Sequence, residues 1–121
     1  MRTRSVAGLA ALLVAGVARA AGTDDAIARG SKLFGDRCAL CHGANADGKG
    51  QLAKMLDPKP ANLRASLLDR GARESIIRHG GAAVGRSPAM PRWEVEFDEQ
   101  QLDDVMAYVD SIVPAHAGNK P

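Results

Sequence analysis

Apolar positions recur at helical spacing in three stretches of this chain, and the polar and glycine-rich positions between them break into loops. The last stretch is the clearest: Leu102, Val105, Met106, Val109, Ile112 and Val113 share one face, Asp98 with Gln101 forms a capping-box pattern ahead of them, and Pro114 ends the run. Near the start, Ala26, Ile27, Gly30, Leu33 and Phe34 set the same period over residues 24–37 and carry it into Cys38 and Cys41, with Thr23 or Asp24 available as the cap. A brief third helix is predicted from Arg73 to His79, burying Ile76 and Ile77 and capped by Gly80-Gly81. Leu52 to Leu56 makes a short helical turn that Pro58 and Pro60 stop. Gly43 to Gly50 is a loop, Gly80 to Pro91 is a longer connection that must pack on something to be ordered, and residues 115–121 are a frayed tail. No stretch alternates polar and apolar positions long enough for a strand, so the fold class is all-α.

One further apolar stretch stands apart from this scheme. Arg2 and Arg4 precede an apolar run from Val6 to Ala18, and Ala18-Arg19-Ala20 supplies the small-x-small step of an export cleavage site. A membrane span needs about 18–20 apolar residues and this run has 13, so it is read as a signal peptide cleaved after Ala20. The boundaries follow: residues 1–20 as the cleaved signal and 21–121 as one domain with its core at about 24–114. Lys and Arg number 16 against 14 Asp and Glu, too balanced for a nucleic-acid surface. Arg2, Arg4 and Arg19 lie in the first 20 residues, which hold no acid, so 13 bases face 14 acids beyond them.

Composition then raises a problem of stability. The chain has four aromatic residues, Phe34, Trp93, Phe97 and Tyr108, and so small a domain with so few rings buries little apolar surface against the entropy of ordering it. Something other than side chains is expected to fill the core. Export normally directs two cysteines to a disulfide, but Cys38 and Cys41 are three apart and His42 follows at once. Cys38-Ala-Leu-Cys41-His42 is the pattern for covalent haem attachment: on one helical turn both thiols can add to the vinyl groups at one porphyrin edge, and the next residue brings an imidazole to the iron. The alternatives explain less. Structural zinc needs four ligands, while His79 and His116 come without partner cysteines; a thioredoxin-like pair needs a βαβ setting; a plain disulfide leaves His42 unexplained.

With that motif the chain resembles a class I cytochrome c of the bacterial monohaem type with His-Met ligation. The likeness runs from about Ile27 to Ile112 and takes in Gly30, Phe34, the attachment motif, the Gly43 to Gly50 loop, Pro58-Lys-Pro60, Ser87-Pro-Ala-Met90-Pro91 and Tyr108. It implies a small cytochrome c fold of three to four helices packed around one covalently bound haem, heme c with its iron. It also implies contact of Gly30 and Phe34 with Tyr108 where the first and last helices cross, and electron transport rather than enzymatic catalysis.

The remaining iron ligand is sought among Met55, Met90, Met106, His79 and His116. Met106 lies on the apolar face of the last helix, Met55 follows His42 closely in a segment expected on the proximal side, and His116 belongs to the tail. His79, the main rival, has another explanation as a cation favoured at a helix C-terminus. Met90 sits in a loop stiffened by Pro88 and Pro91, and the resemblance places the ligand in this Met-Pro step. The site residues are thus Cys38, Cys41, His42 and Met90 for the haem, His42 and Met90 for the iron, and none for catalysis. An axial His donates its other ring nitrogen to a carbonyl, for which the resemblance implies a proline. Pro58 and Pro60 both qualify, Pro60 slightly better. Asn62, Arg64, Arg92 and Trp93 offer donors for the haem propionates.

Two ligands on iron leave no open position for oxygen or peroxide, and thioether ligation raises the potential. The expected function is a periplasmic electron carrier with transient redox protein partners, no nucleic acid and no stable membrane anchor. The alternative is a haem subunit of a multi-subunit dehydrogenase or oxidase; a third class, a ligand-binding haem sensor or peroxidase-like protein, requires Met90 off the iron. Only five lysines occur, which argues against docking in the manner of the lysine-faced cytochromes c.

Overall fold

The computed structural model describes residues 17–115; residues 1–16, most of the expected signal peptide, and His116 with the rest of the tail lie outside the described residues. Four α-helices, α1 (Val17–Arg37), α2 (Ala39–His42), α3 (Arg70–His79) and α4 (Glu99–Ile112), are joined through short 3-10 turns at Gln51–Met55, Leu63–Ala65, Ala82–Val84 and Trp93–Val95, with no strand among the described residues.

Local chemistry accounts for most of these boundaries. At the start of α4 both halves of the capping box form: Gln101 N–H donates to Asp98 Oδ1 at 2.8 Å, and Asp98 N–H donates to Gln101 Oε1 at 3.0 Å. α3 starts at Arg70, ahead of the expected Arg73, because Asp69 is its cap and accepts the Ala72 N–H at 2.7 Å. Gly80 ends it at φ +81°, a conformation in which a glycine meets no Cβ penalty. α1 corrects the expectation at its own start. The alanines at 18, 20 and 21 are strong helix formers, so the helix runs through Thr23 and Asp24 and neither caps it.

The helices pack around one crossing. α1 lies chiefly on α4, and Gly30 is the point of closest approach: a Cβ there would fall 1.8 Å from the Asp104 carbonyl oxygen and 2.9 Å from Tyr108 Cβ. One turn along, Phe34 and Tyr108 meet with ring centroids 5.1 Å apart, as the resemblance implied. Beside the glycine, Arg29 grips the buried Asp104 carboxylate with two hydrogen bonds of 2.7 and 2.8 Å. Leu102, Val105 and Val109 of α4 build the core with Phe34, Trp93 and Phe97, the last two stacked at 5.0 Å. α3 is tied to α4 through Asp110, which accepts from Arg70 and Arg73, and through Arg78, which reaches Glu99. The loops on either side of α3 wall the space these helices leave open.

Candidate cofactor site

That space is a cavity of about 450 Å³ lined by residues between Phe34 and Val109, among them Cys38, Cys41, His42 and Met90. Cys38 and α2 form one tight turn in which the Cys41 and His42 N–H groups both donate to the Cys38 carbonyl, at 3.2 and 2.9 Å. Both cysteines are free thiols, and burial, with a smaller contribution from Cys41, pushes the Cys38 thiol up to about 12.

His42 Nδ1 lies 3.0 Å from the carbonyl oxygen of Ala61. A carbonyl can only accept, so Nδ1 carries the proton and Nε2 keeps its lone pair for a metal. This corrects the expectation of a proline acceptor at Pro58 or Pro60. The Pro60 carbonyl instead abuts Gly48, where a Cβ would lie 2.6 Å from it, so the next peptide in the chain turns to the histidine.

Met90 is the methionine that lines the same cavity as His42. Met55 is 76% exposed, and Met106 is packed in the core at 2% exposure. His79 is exposed, its Nδ1 3.1 Å from Glu94, and it does not line the cavity. The loop bearing Met90 is pinned by backbone: Gly81 N–H donates to the Met90 carbonyl at 3.0 Å, and a Cβ at Gly81 would fall 2.1 Å from the Ser87 carbonyl oxygen. Close approach of two chain segments therefore requires glycine at this position.

The lining suits a haem. Val105, Val109, Ile76 and Ile77 give it apolar walls, and Arg37, Lys59, Arg73 and Arg86 bring four cations with no carboxylate among the lining residues. The buried Trp93 Nε1–H, which also faces this space, has no hydrogen-bond partner among the described residues. An apolar plate carrying two carboxylates meets both conditions, supplying acceptors for the indole and for the cations. Of the four donors expected at the propionates, the cavity takes Trp93 alone. Asn62 accepts the Arg64 N–H, Arg64 Nε donates to the Asn45 carbonyl, and Arg92 pairs with Glu94, so short-range partners hold all three elsewhere. The buried Arg73 was missed, although its spacing from Ile76 and Ile77 puts it on their face of α3.

The cytochrome c family profile matches residues 27–112. The chain belongs to the cytochrome c family, and as such it is an electron carrier with one haem c held covalently through the Cys38-Ala-Leu-Cys41-His42 motif. Among curated proteins it is 29% identical to cytochrome c6 of Bryopsis maxima over 66% of this chain and 84% of that protein. It is 25% identical to cytochrome c-554(547) of Halothiobacillus neapolitanus over 68% of this chain and 91% of that one. It is also 29% identical to the cbb3-type cytochrome c oxidase subunit FixP of Bradyrhizobium sp. (strain ORS 278) over 70% of this chain. The chain spans less than a third of the length of the oxidase subunits it matches.

Proposed function

We propose that this chain is a periplasmic electron shuttle whose haem iron is held between His42 and Met90, and which exchanges electrons with redox proteins in short encounters. The observation that carries the reading is the placement of the two side chains on one cavity: an imidazole whose Nδ1 proton is committed to Ala61, and a thioether on a loop pinned by backbone bonds. Haem, when bound, supplies a one-electron couple.

The residues do the rest. Cys38 and Cys41 hold the group through thioether bonds, so it stays with a protein released from the cell interior. Ala61 fixes the tautomer and orientation of His42. Met90 would supply a thioether to the iron, leaving no open position for oxygen or peroxide and favouring the ferrous state. Apolar walls and the buried Trp93 keep water from the centre, which limits reorganisation as the charge changes.

The rim of the cavity supports brief docking. Among the residues that line it, Arg37, Lys59 and Arg86 are exposed together with Pro58, Ala89 and Pro91, and neither Lys59 nor Arg86 has a carboxylate partner among the described residues. Small apolar side chains beside two cations without carboxylate partners fit a partner face that is apolar at its centre and acidic at its edge. The near balance of total charge therefore understates the charge at this rim.

A second reading, a haem subunit of a larger oxidase, draws on the likeness to the cbb3-type subunits. Among the described residues no helix is long and apolar enough to cross a membrane. Gel filtration of a native periplasmic extract, followed by haem staining and N-terminal sequencing, separates the two. A shuttle elutes alone with Ala21 as its first residue; co-elution with a stoichiometric partner favours the subunit, and a start at Met1 removes the export reading.

A further inference from the structure

The turn that follows Met90 carries a carboxylate with two partners. Glu94 accepts from Arg92 Nη2 at 3.2 Å on one oxygen, and its other oxygen lies 3.1 Å from His79 Nδ1. His79 is the last residue of α3, and Arg92 is two residues beyond Met90, so one carboxylate bridges the two ends of the segment that presents the methionine. We infer that Glu94 is a positioning residue for the distal ligand, latching the exit of the Met90 loop to the end of α3. The inference rests on Met90 as the iron ligand.

Glu94 is well placed to act as a fixed post. It sits on the Trp93–Val95 turn, whose first residue is buried at 8% exposure and stacked on Phe97 at 5.0 Å, so the backbone carrying the carboxylate is anchored in the core. Its side chain is 32% exposed, less than His79 at 50% and Arg92 at 62%, so two more exposed groups converge on a less exposed one. The entry of the loop is already held by the Gly81 to Met90 backbone bond, whereas the exit past Pro91 is held by side chains. Loosening that exit raises the fraction of molecules in which the thioether has left the iron, and any competing ligand then binds with an affinity that scales with this fraction.

Imidazole titration of the ferric holoprotein reads that fraction directly. Met90→Ala sets the upper limit, with affinity at least a hundredfold above wild type. Glu94→Gln, which removes the charge but keeps the length, should tighten imidazole binding roughly three- to tenfold, the range for charge-assisted bonds at a partly exposed site. Glu94→Asp should fall between Glu94→Gln and wild type. Glu99→Gln, which cuts an ion pair of Arg78 away from the loop, should leave the affinity at the wild-type value. If Met90→Ala binds imidazole no more tightly than wild type, the ligand assignment fails and the latch with it. If Met90→Ala tightens binding while Glu94→Gln matches wild type, or Glu99→Gln matches Glu94→Gln, the ligand assignment stands and the latch is overturned.

Discussion

Three of the four methionines lie among the described residues in three different environments, and the ligand role proposed for Met90 rests on that difference. Met55 faces solvent, Met106 is buried on the apolar face of α4, and Met90 meets the cavity on a backbone-pinned loop. Met90→Ala should therefore abolish the sulfur-to-iron charge-transfer absorption, lower the reduction potential and admit carbon monoxide, with the haem still attached through Cys38 and Cys41. Met106→Leu should leave all three unaltered and cost less than about 1.5 kcal/mol, as for a core exchange at constant volume. Optical spectra and voltammetry of the two variants check this, and an unchanged Met90→Ala spectrum would return the assignment to another residue. The attachment residues were legible because their geometry is contained in five consecutive positions. The acceptor for His42 was not: whether Pro58, Pro60 or Ala61 turns its carbonyl inward depends on how the Gly48 loop seats against that segment. Arg73 was obscured for a different reason, since an arginine at a helix start reads as solvated until the partners Asp110 and Leu68 are seen across the fold.

At the scale of elements, the molecule depends on how closely α1 approaches α4. Gly30→Ala would drive a methyl to within 1.8 Å of the Asp104 carbonyl oxygen, a backbone atom with no rotamer to move. The expected loss is about 3 kcal/mol, at the upper end for overpacking. That corresponds to a fall of roughly 12–24 °C in the thermal midpoint of the holoprotein for a domain of this size. The Arg29 to Asp104 pair adds a pH dependence to the same crossing. The guanidinium holds the Asp104 carboxyl below its ordinary value of 3.8, so the pair stabilises the fold above that pH and loses its contribution as pH falls toward the lowered value. Asp104→Asn should cost about 1–2 kcal/mol at pH 7, less than for a fully buried pair because Arg29 is half exposed. The gap between the thermal midpoints of wild type and Asp104→Asn should stay constant down to about pH 4 and close below it. A gap that keeps its full neutral-pH size as the pH falls below 3.8 would show that the carboxylate charge is not what matters. α4 was readable to the residue because its cap, periodicity and stop all lie in its own sequence. The starts of α1 and α3 were displaced where a stronger local signal, an alanine run or the Asp69 cap, won over the one chosen.

At the scale of the whole molecule, the all-α class and the need for a cofactor followed from four aromatics and a missing strand pattern. The walls of the cavity did not, because they combine side chains of α1, α3 and α4 with loop residues that lie far apart in the chain. Lining residues run from Phe34 to Val109, so no element can complete the site alone. The cavity also sets the stability of the chain without its haem. Without its haem the cavity, open to solvent on one side, leaves its apolar walls in contact with water, a penalty that burial under the cofactor removes. A small domain has about 5–15 kcal/mol of stability in total. Partial collapse reduces the penalty, but collapse must break the Gly81 to Met90 and His42 to Ala61 contacts that define the walls. The haem-free Cys38→Ala, Cys41→Ala variant is therefore expected to be unfolded or molten, with helical circular dichroism well below that of the holoprotein and no cooperative thermal transition. The holoprotein should melt in one sharp step, because binding to the folded state alone shifts the equilibrium by the whole binding free energy. Circular dichroism of both proteins through a thermal scan makes the comparison. A native-like spectrum with a sharp transition in the haem-free variant would mean that the α1 to α4 crossing is stable alone and that the cofactor fills a site already built.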